Sequence, residues 1–184
     1  MGGIIGVTGT PGGGKKTVSP LAAKMLGLRC LGVNDLALSH GLLAPGDEVD
    51  TRKMRALLSR EVPGPALVYG HLLPYVVRPS LADRVAVLRC EPRVLKRRLA
   101  ARGYLPRKVA ENVEAELIGI VSADSYDAFG DAKTFEVDTT RLGPSEAARE
   151  VEEVVRGATP RPRIDWTRGY DSGEKLRSLL SEGA

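Results

Sequence analysis

Glutamine is absent from the 184 residues, and aromatic side chains make up only 4% of them. With so few rings, leucine, valine and alanine must fill the core. Only two cysteines are present, Cys30 and Cys90, far apart in sequence. That excludes a disulfide-rich secreted fold and a cysteine-held zinc site. Each lies in an apparent strand and reads as a small buried hydrophobe in a reducing compartment. No apolar run reaches the roughly 20 residues needed to cross a bilayer. The start lacks the basic residues and long apolar stretch of a signal peptide. Met1-Gly2 is no myristoylation signal, because Gly6 stands where Ser or Thr is expected. The expectation is a cytoplasmic protein with no membrane partner. Neither sign of charge dominates: 27 Lys and Arg face 23 Asp and Glu, a net charge of +4, and the pI is about 9.2. Such a mild excess suits a polyphosphate ligand or RNA, and equally any mildly basic enzyme. Missing glutamine and an excess of arginine over lysine lean towards a heat-adapted source.

What is present begins at the first turn. Ile4–Thr8 reads as an apolar strand, and Gly9-Thr10-Pro11-Gly12-Gly13-Gly14-Lys15 follows it directly. This is the spacing of a phosphate-binding loop. Glycines let backbone N–H groups turn inward around phosphate oxygens, and the helix that starts at the loop's end adds its positive dipole end. Lys15 would reach the outer phosphates. A bland glycine-rich turn is the alternative, and the strand before and helix after argue against it. The position after the lysine should carry a metal-holding hydroxyl; it carries Lys16. Thr17 is a poor stand-in, since one step along a helix rotates a side chain by about 100°.

Strand-like and helix-like stretches alternate along the chain. Helix is expected over Lys15–Leu26, strand over Leu28–Val33, and mostly helix over Asn34–Arg60 with a break at Pro45-Gly46. A turn at Pro63-Gly64-Pro65 precedes strands at Ala66–Tyr69 and Arg84–Arg89. Pro92–Arg102 reads as a basic amphipathic helix, and Pro106 opens one long helix to about Asp127. A strand at Thr134–Val137 and a helix at Ser145–Arg156 end the pattern. The alternation implies an α/β fold, a mainly parallel sheet covered by helices on both faces. After Gly157 the character changes: Ala158–Arg163 resists regular structure, Ile164-Asp165-Trp166 can anchor the segment, and Asp171–Leu180 suits a short helix. This tail reads as a strap packed on the body or an extension for a partner.

Four stretches carry a resemblance: Gly9–Lys15; Val33-Asn34-Asp35-Leu36-Ala37; Gly70-His71-Leu72; and Arg98-Leu99-Ala100-Ala101-Arg102-Gly103-Tyr104, the last followed by Lys108 and Glu111-Asn112-Val113-Glu114-Ala115-Glu116. In order and spacing the chain resembles the small atypical adenylate kinases of archaea and eukaryotic nuclei. These are the sixth-isoenzyme type, also described as coilin-interacting nuclear ATPases. The resemblance implies a P-loop fold of the nucleoside monophosphate kinase type over residues 1–157. The monophosphate-binding region would be about 34–57, the lid about 98–109, and 158–184 an extension. It implies transfer of a phosphoryl group from ATP to AMP or another monophosphate, with some ATP hydrolysis. It also implies binding to the small-subunit ribosomal protein uS11 during maturation of the small ribosomal subunit.

Phosphoryl transfer needs in-line phosphates and neutralised charge more than covalent help. Gly12, Gly13, Gly14, Lys15, Lys16 and Thr17 are the expected ATP-phosphate contacts. Arg98 and Arg102, four apart, would share a helix face and close over the transferring phosphate with Gly103 as hinge, or else form a solvated basic face. Asn34 and Asp35 fall in the monophosphate region, where Arg52 or Arg55 would meet the acceptor's phosphate. Each arginine could equally be a surface residue. His71, at the carboxyl end of a buried strand, would position a water or phosphate, or would be a core histidine. The family places an acid two residues before that histidine; here it is Tyr69. Lys16 and Tyr69 both touch the usual place of Mg²⁺, so dependence on the ion is open.

Overall fold

The computed structural model describes residues 2–44, 48–62, 64–157 and 162–181. In chain order it contains β1 (Ile4–Thr8), α1 (Lys15–Leu26), β2 (Arg29–Gly32), α2 (Val33–Ser39), β3 (Leu43–Ala44), β4 (Glu48–Val49), α3 (Thr51–Glu61) and β5 (Ala66–Tyr69). Then come α4 (Leu73–Val76), β6 (Ala82–Arg89), α5 (Pro92–Ala100), α6 (Pro106–Leu117), α7 (Ile120–Phe129), β7 (Thr134–Asp138) and α8 (Pro144–Val155). A 3-10 turn (Thr167–Tyr170) and α9 (Gly173–Ser181) complete the described chain.

Period-two alternation builds the sheet. Ile5 and Val7 of β1, Leu67 of β5, and Ala86 and Leu88 of β6 face one core; Ile4, Ala66, Val68, Val85 and Val87 face the other. The five long strands pair in parallel in the order β2-β5-β1-β6-β7. A parallel sheet buried on both faces needs cover on both. α1 and α8 supply it on one side through Val18, Ala22, Ala148 and Val151. On the other, α2, α3, α4 and α7 contribute Val33, Met54, Leu58, Leu73 and Phe129. A third cluster lies under α5 and α6, where Leu95, Leu99, Val109, Val113 and Leu117 pack with Leu179 of α9. This is the α/β architecture the alternation implies.

Two local readings need correction. The helix expected from Pro106 to about Asp127 is two helices, because Gly119 between them adopts φ 70°, a left-handed conformation that ends α6. The apolar period runs through the break and hides it. The stretch Asn34–Arg60 is helical at both ends, but a short antiparallel ladder, Leu43 with Val49 and Ala44 with Glu48, separates α2 from α3. Pro45-Gly46, Pro63 and residues 158–161 lie outside the described residues. Cys90 follows β6 rather than lying in it, and is buried; Cys30, in β2, is half-buried. Among the described residues no helix is long and apolar enough to cross a membrane.

Candidate functional site

Strand order reverses at β1, with β5 on one side and β6 on the other. The carboxyl end of such a strand is where ligands bind in open parallel sheets. There β1 feeds Gly9–Gly14 into α1. Gly12 sits at φ 90°, and a Cβ on it would lie 2.7 Å from Leu95 Cδ1 and 2.8 Å from Leu99 Cδ2. Both leucines are fully buried, so a Cβ there would force core packing to shift. The loop therefore lies flat on α5 and only glycine fits.

Lys15, the first residue of α1, folds back over the loop. Its Nζ donates to Gly9 O at 2.6 Å and to Thr10 O at 3.0 Å. Burial pulls this ammonium down to about 8; the Glu116 carboxylate opposes the shift and Arg102 adds to it. His71, just after β5, is held below its ordinary value by burial and by the charge of Lys15. It is therefore neutral near pH 7. Lys15, Arg102, His71 and Glu116 thus share one electrostatic neighbourhood.

A pocket of about 230 Å³ opens beside the loop, lined by Gly12, Gly13, Gly14, Thr17, Arg98 and Arg102, and closed by the turn after β7. Arg98 is tied to that turn: Nη2 donates to Thr139 O at 2.9 Å and Thr140 O at 3.2 Å, and Nη1 lies 3.4 Å from Cys90 Sγ. α5 ends at Ala100, so Arg102 lies in the turn beyond it. The two arginines, four apart in sequence, line the same pocket. Gly103 follows at φ 73°. Lys16 is exposed.

Asn34 and Asp35 are exposed in the first turn of α2. Asp35 Oδ2 accepts from Tyr69 OH at 3.1 Å. Burial and the Asp35 charge push that phenol up to about 12. Arg52 is exposed on α3, and Arg55 Nε donates to Tyr75 O at 3.0 Å. Among the described residues no group of three or more His, Cys, Asp or Glu side chains is placed to hold a metal ion.

Glu116, named above within the resemblance but given no role, makes contacts that its spacing did not announce. Glu116 is 2% exposed. Its Oε2 accepts from Thr10 Oγ1 of the glycine loop at 2.6 Å; its Oε1 accepts from Arg89 Nε at 2.8 Å, Cys90 N at 3.0 Å and Trp166 Nε1 at 3.1 Å. Arg89 Nη1 in turn donates to Glu136 Oε1 at 2.7 Å. A signal existed: Val109, Val113 and Glu116 follow the helical period, which puts a carboxylate on the apolar face of α6.

Residues 5–119 match the AAA domain family. The "Putative adenylate kinase" of Thermococcus onnurineus is 37% identical over 174 residues, spanning 91% of this chain and 93% of the relative. The protein of the same name from Methanocaldococcus jannaschii is 30% identical over 175 residues, spanning 90% of this chain and 94% of its own length. Among solved structures, shikimate kinase from Acinetobacter baumannii in complex with shikimate superposes with a TM-score of 0.61 at 15% identity, over 84% of this chain and 93% of that one. A gluconokinase from Sinorhizobium meliloti gives a TM-score of 0.55 at 22% identity, over 84% of this chain and 91% of that one. At such identities these two speak for the fold, a P-loop kinase architecture.

Proposed function

The chain belongs to the AAA-domain, adenylate-kinase-like family, and from that premise we propose that it transfers the terminal phosphoryl group of ATP to AMP or another nucleoside monophosphate, with some ATP hydrolysis. The observation that carries this is the Lys15 ammonium resting on the carbonyls of its own glycine loop, with Arg102 and His71 in its field. Gly12, Gly13, Gly14 and Lys15 hold the ATP phosphates, Lys16 and Thr17 flank them, and Arg102 neutralises the group in transfer. Arg98 holds the turn after β7 against the nucleotide pocket. Neutral His71 orients a water or a phosphate oxygen. Asn34, Asp35, Arg52 and Arg55 receive the monophosphate. In this reading residues 1–157 are the kinase unit, with 34–57 as the monophosphate region, 98–109 as the lid and the remainder a strap.

Mg²⁺ normally accompanies ATP in P-loop kinases. Here Lys16 stands where a hydroxyl would be, and the Tyr69 hydroxyl is spent on Asp35. That donor set does not fit an ion held by the protein, and none of the roles above depends on one. An ion that arrives on the nucleotide's own phosphates needs no such donors.

A coupled assay with ATP and each monophosphate tests the reading. ADP formation that depends on the monophosphate is expected; its absence with every monophosphate contradicts it. A second reading is favoured by Lys16 and Tyr69. It is an ATPase with weakened transfer that acts with uS11 in small-subunit maturation, and the same assay would then show hydrolysis indifferent to the acceptor.

The proton on Lys15 gives a further expectation. Phosphate binds the ammonium form, and the free protein loses that proton near pH 8. Binding above this pH must take a proton up, so ATP affinity falls as pH rises through about 8. Calorimetry in buffers of different ionisation enthalpy reads the uptake directly. Affinity that is flat from pH 7 to about 9 would show that Lys15 does not meet the phosphates.

A further inference from the structure

Residues 162–181 are tied to the body by contacts that lead back to the glycine loop. Ile164 N donates to the Glu136 carboxylate, and Ile164 O accepts from Arg89 Nη1 at 3.1 Å. Trp166 Nε1 donates to Glu116 Oε1 at 3.1 Å, and the other oxygen of that carboxylate accepts from Thr10 Oγ1. Tyr170 OH donates to Glu91, the residue that caps α5. Lys96 Nζ, on α5, donates to Leu179 O at 2.6 Å. Leu179 is buried in the same cluster as Leu95 and Leu99, the two leucines that bear on Gly12. The tail thus touches both supports of the loop: the carboxylate that fastens Thr10 and the leucines beneath Gly12.

We propose that Trp166 is a positioning residue for the phosphate loop. Its indole N–H joins Arg89 Nε and Cys90 N in holding the Glu116 carboxylate, Glu116 holds Thr10, and the tail thereby tunes the affinity of the ATP site. Thr10, Glu116 and Arg89 are each no more than 2% exposed and Trp166 is half-buried, so water can reach the Glu116 carboxylate only from the Trp166 side. Glu116 also supplies the countercharge that Lys15 feels. A carboxylate that turns away from Trp166 therefore disturbs the loop twice, through the Thr10 hydroxyl and through the field at Lys15. The proposal rests on the reading of Gly9–Lys15 as the ATP phosphate loop.

Trp166→Phe in the full chain keeps an aromatic ring, though a smaller one, and deletes the N–H. The expected result is an ATP Kd and an ATP KM raised about fivefold, the scale of one charge-assisted hydrogen bond felt through an intermediary. The monophosphate KM and kcat stay within about twofold. A purely structural tryptophan would lower the melting temperature and leave the ATP constants alone. The chain has one tryptophan, so the native protein offers a second readout that needs no variant: saturating ATP changes the Trp166 emission. A Trp166→Phe chain with unchanged ATP Kd, or native emission indifferent to saturating ATP that calorimetry shows to be bound, overturns the proposal. A native chain that binds no ATP overturns the phosphate-loop reading as well.

Discussion

Lys15→Met lowers phosphoryl transfer by a factor on the order of 10³ and leaves the fold standing. The size follows from removing a preorganised cation at the place where transition-state charge develops, which costs about 10²–10³ for a single donor and more for a full charge. The fold survives because the contacts shown for this side chain are carbonyls of its own loop, Gly9 O and Thr10 O, and neither is part of the sheet. Methionine keeps the stem's length and removes a charge that burial disfavours. A coupled assay beside a thermal melt separates the two effects. Transfer that persists within tenfold of the native rate would mean the loop is not the seat of the chemistry.

Glu116→Leu is expected to produce the largest loss of stability. Arg89 keeps Glu136, but the Thr10 hydroxyl, the Cys90 N–H and the Trp166 N–H lose the acceptor they share. Removing one partner of a buried ion pair costs about 3–5 kcal/mol, a fall of roughly 10 °C in melting temperature for a chain of this size. Glu116→Gln keeps one acceptor oxygen and should lose less. The same substitution strips Lys15 of its countercharge, so its ammonium would deprotonate at still lower pH and ATP affinity would begin to fall earlier in the titration. A melting temperature within about 2 °C of native would show that the Arg89–Glu116–Glu136 cluster does not hold the molecule together.

Much of this was legible in the chain, and the reasons are local. β1, the glycine loop and α1 were readable because the motif couples a strand, a positive-φ loop and a helix start within a few residues. The parallel sheet was readable because apolar strands alternate with amphipathic segments long enough to cross over. What stayed hidden depended on backbone or on distance. Gly119 interrupts α6 and α7 without breaking the apolar period, since Ile118 and Ile120 keep the run hydrophobic while both remain exposed. The ladder of Leu43–Ala44 with Glu48–Val49 is too short to leave a strand signature. The end of α5, by contrast, was legible from Gly103, which closes it at φ 73° just beyond Arg102. The Glu116 hub joins residues from β1's loop, β6, α6 and the tail, and no spacing in the chain announces such a meeting. Its one trace is a glutamate at a core position in a helix otherwise rich in solvated acids.

The most direct measurement is a calorimetric titration of the native chain with ATP at pH 7 and above pH 8. The predicted result is saturable binding to one site, weaker at the higher pH and accompanied there by proton uptake. If ATP and the other nucleoside triphosphates release no heat at either pH, the glycine loop between β1 and α1 is not a phosphate cradle.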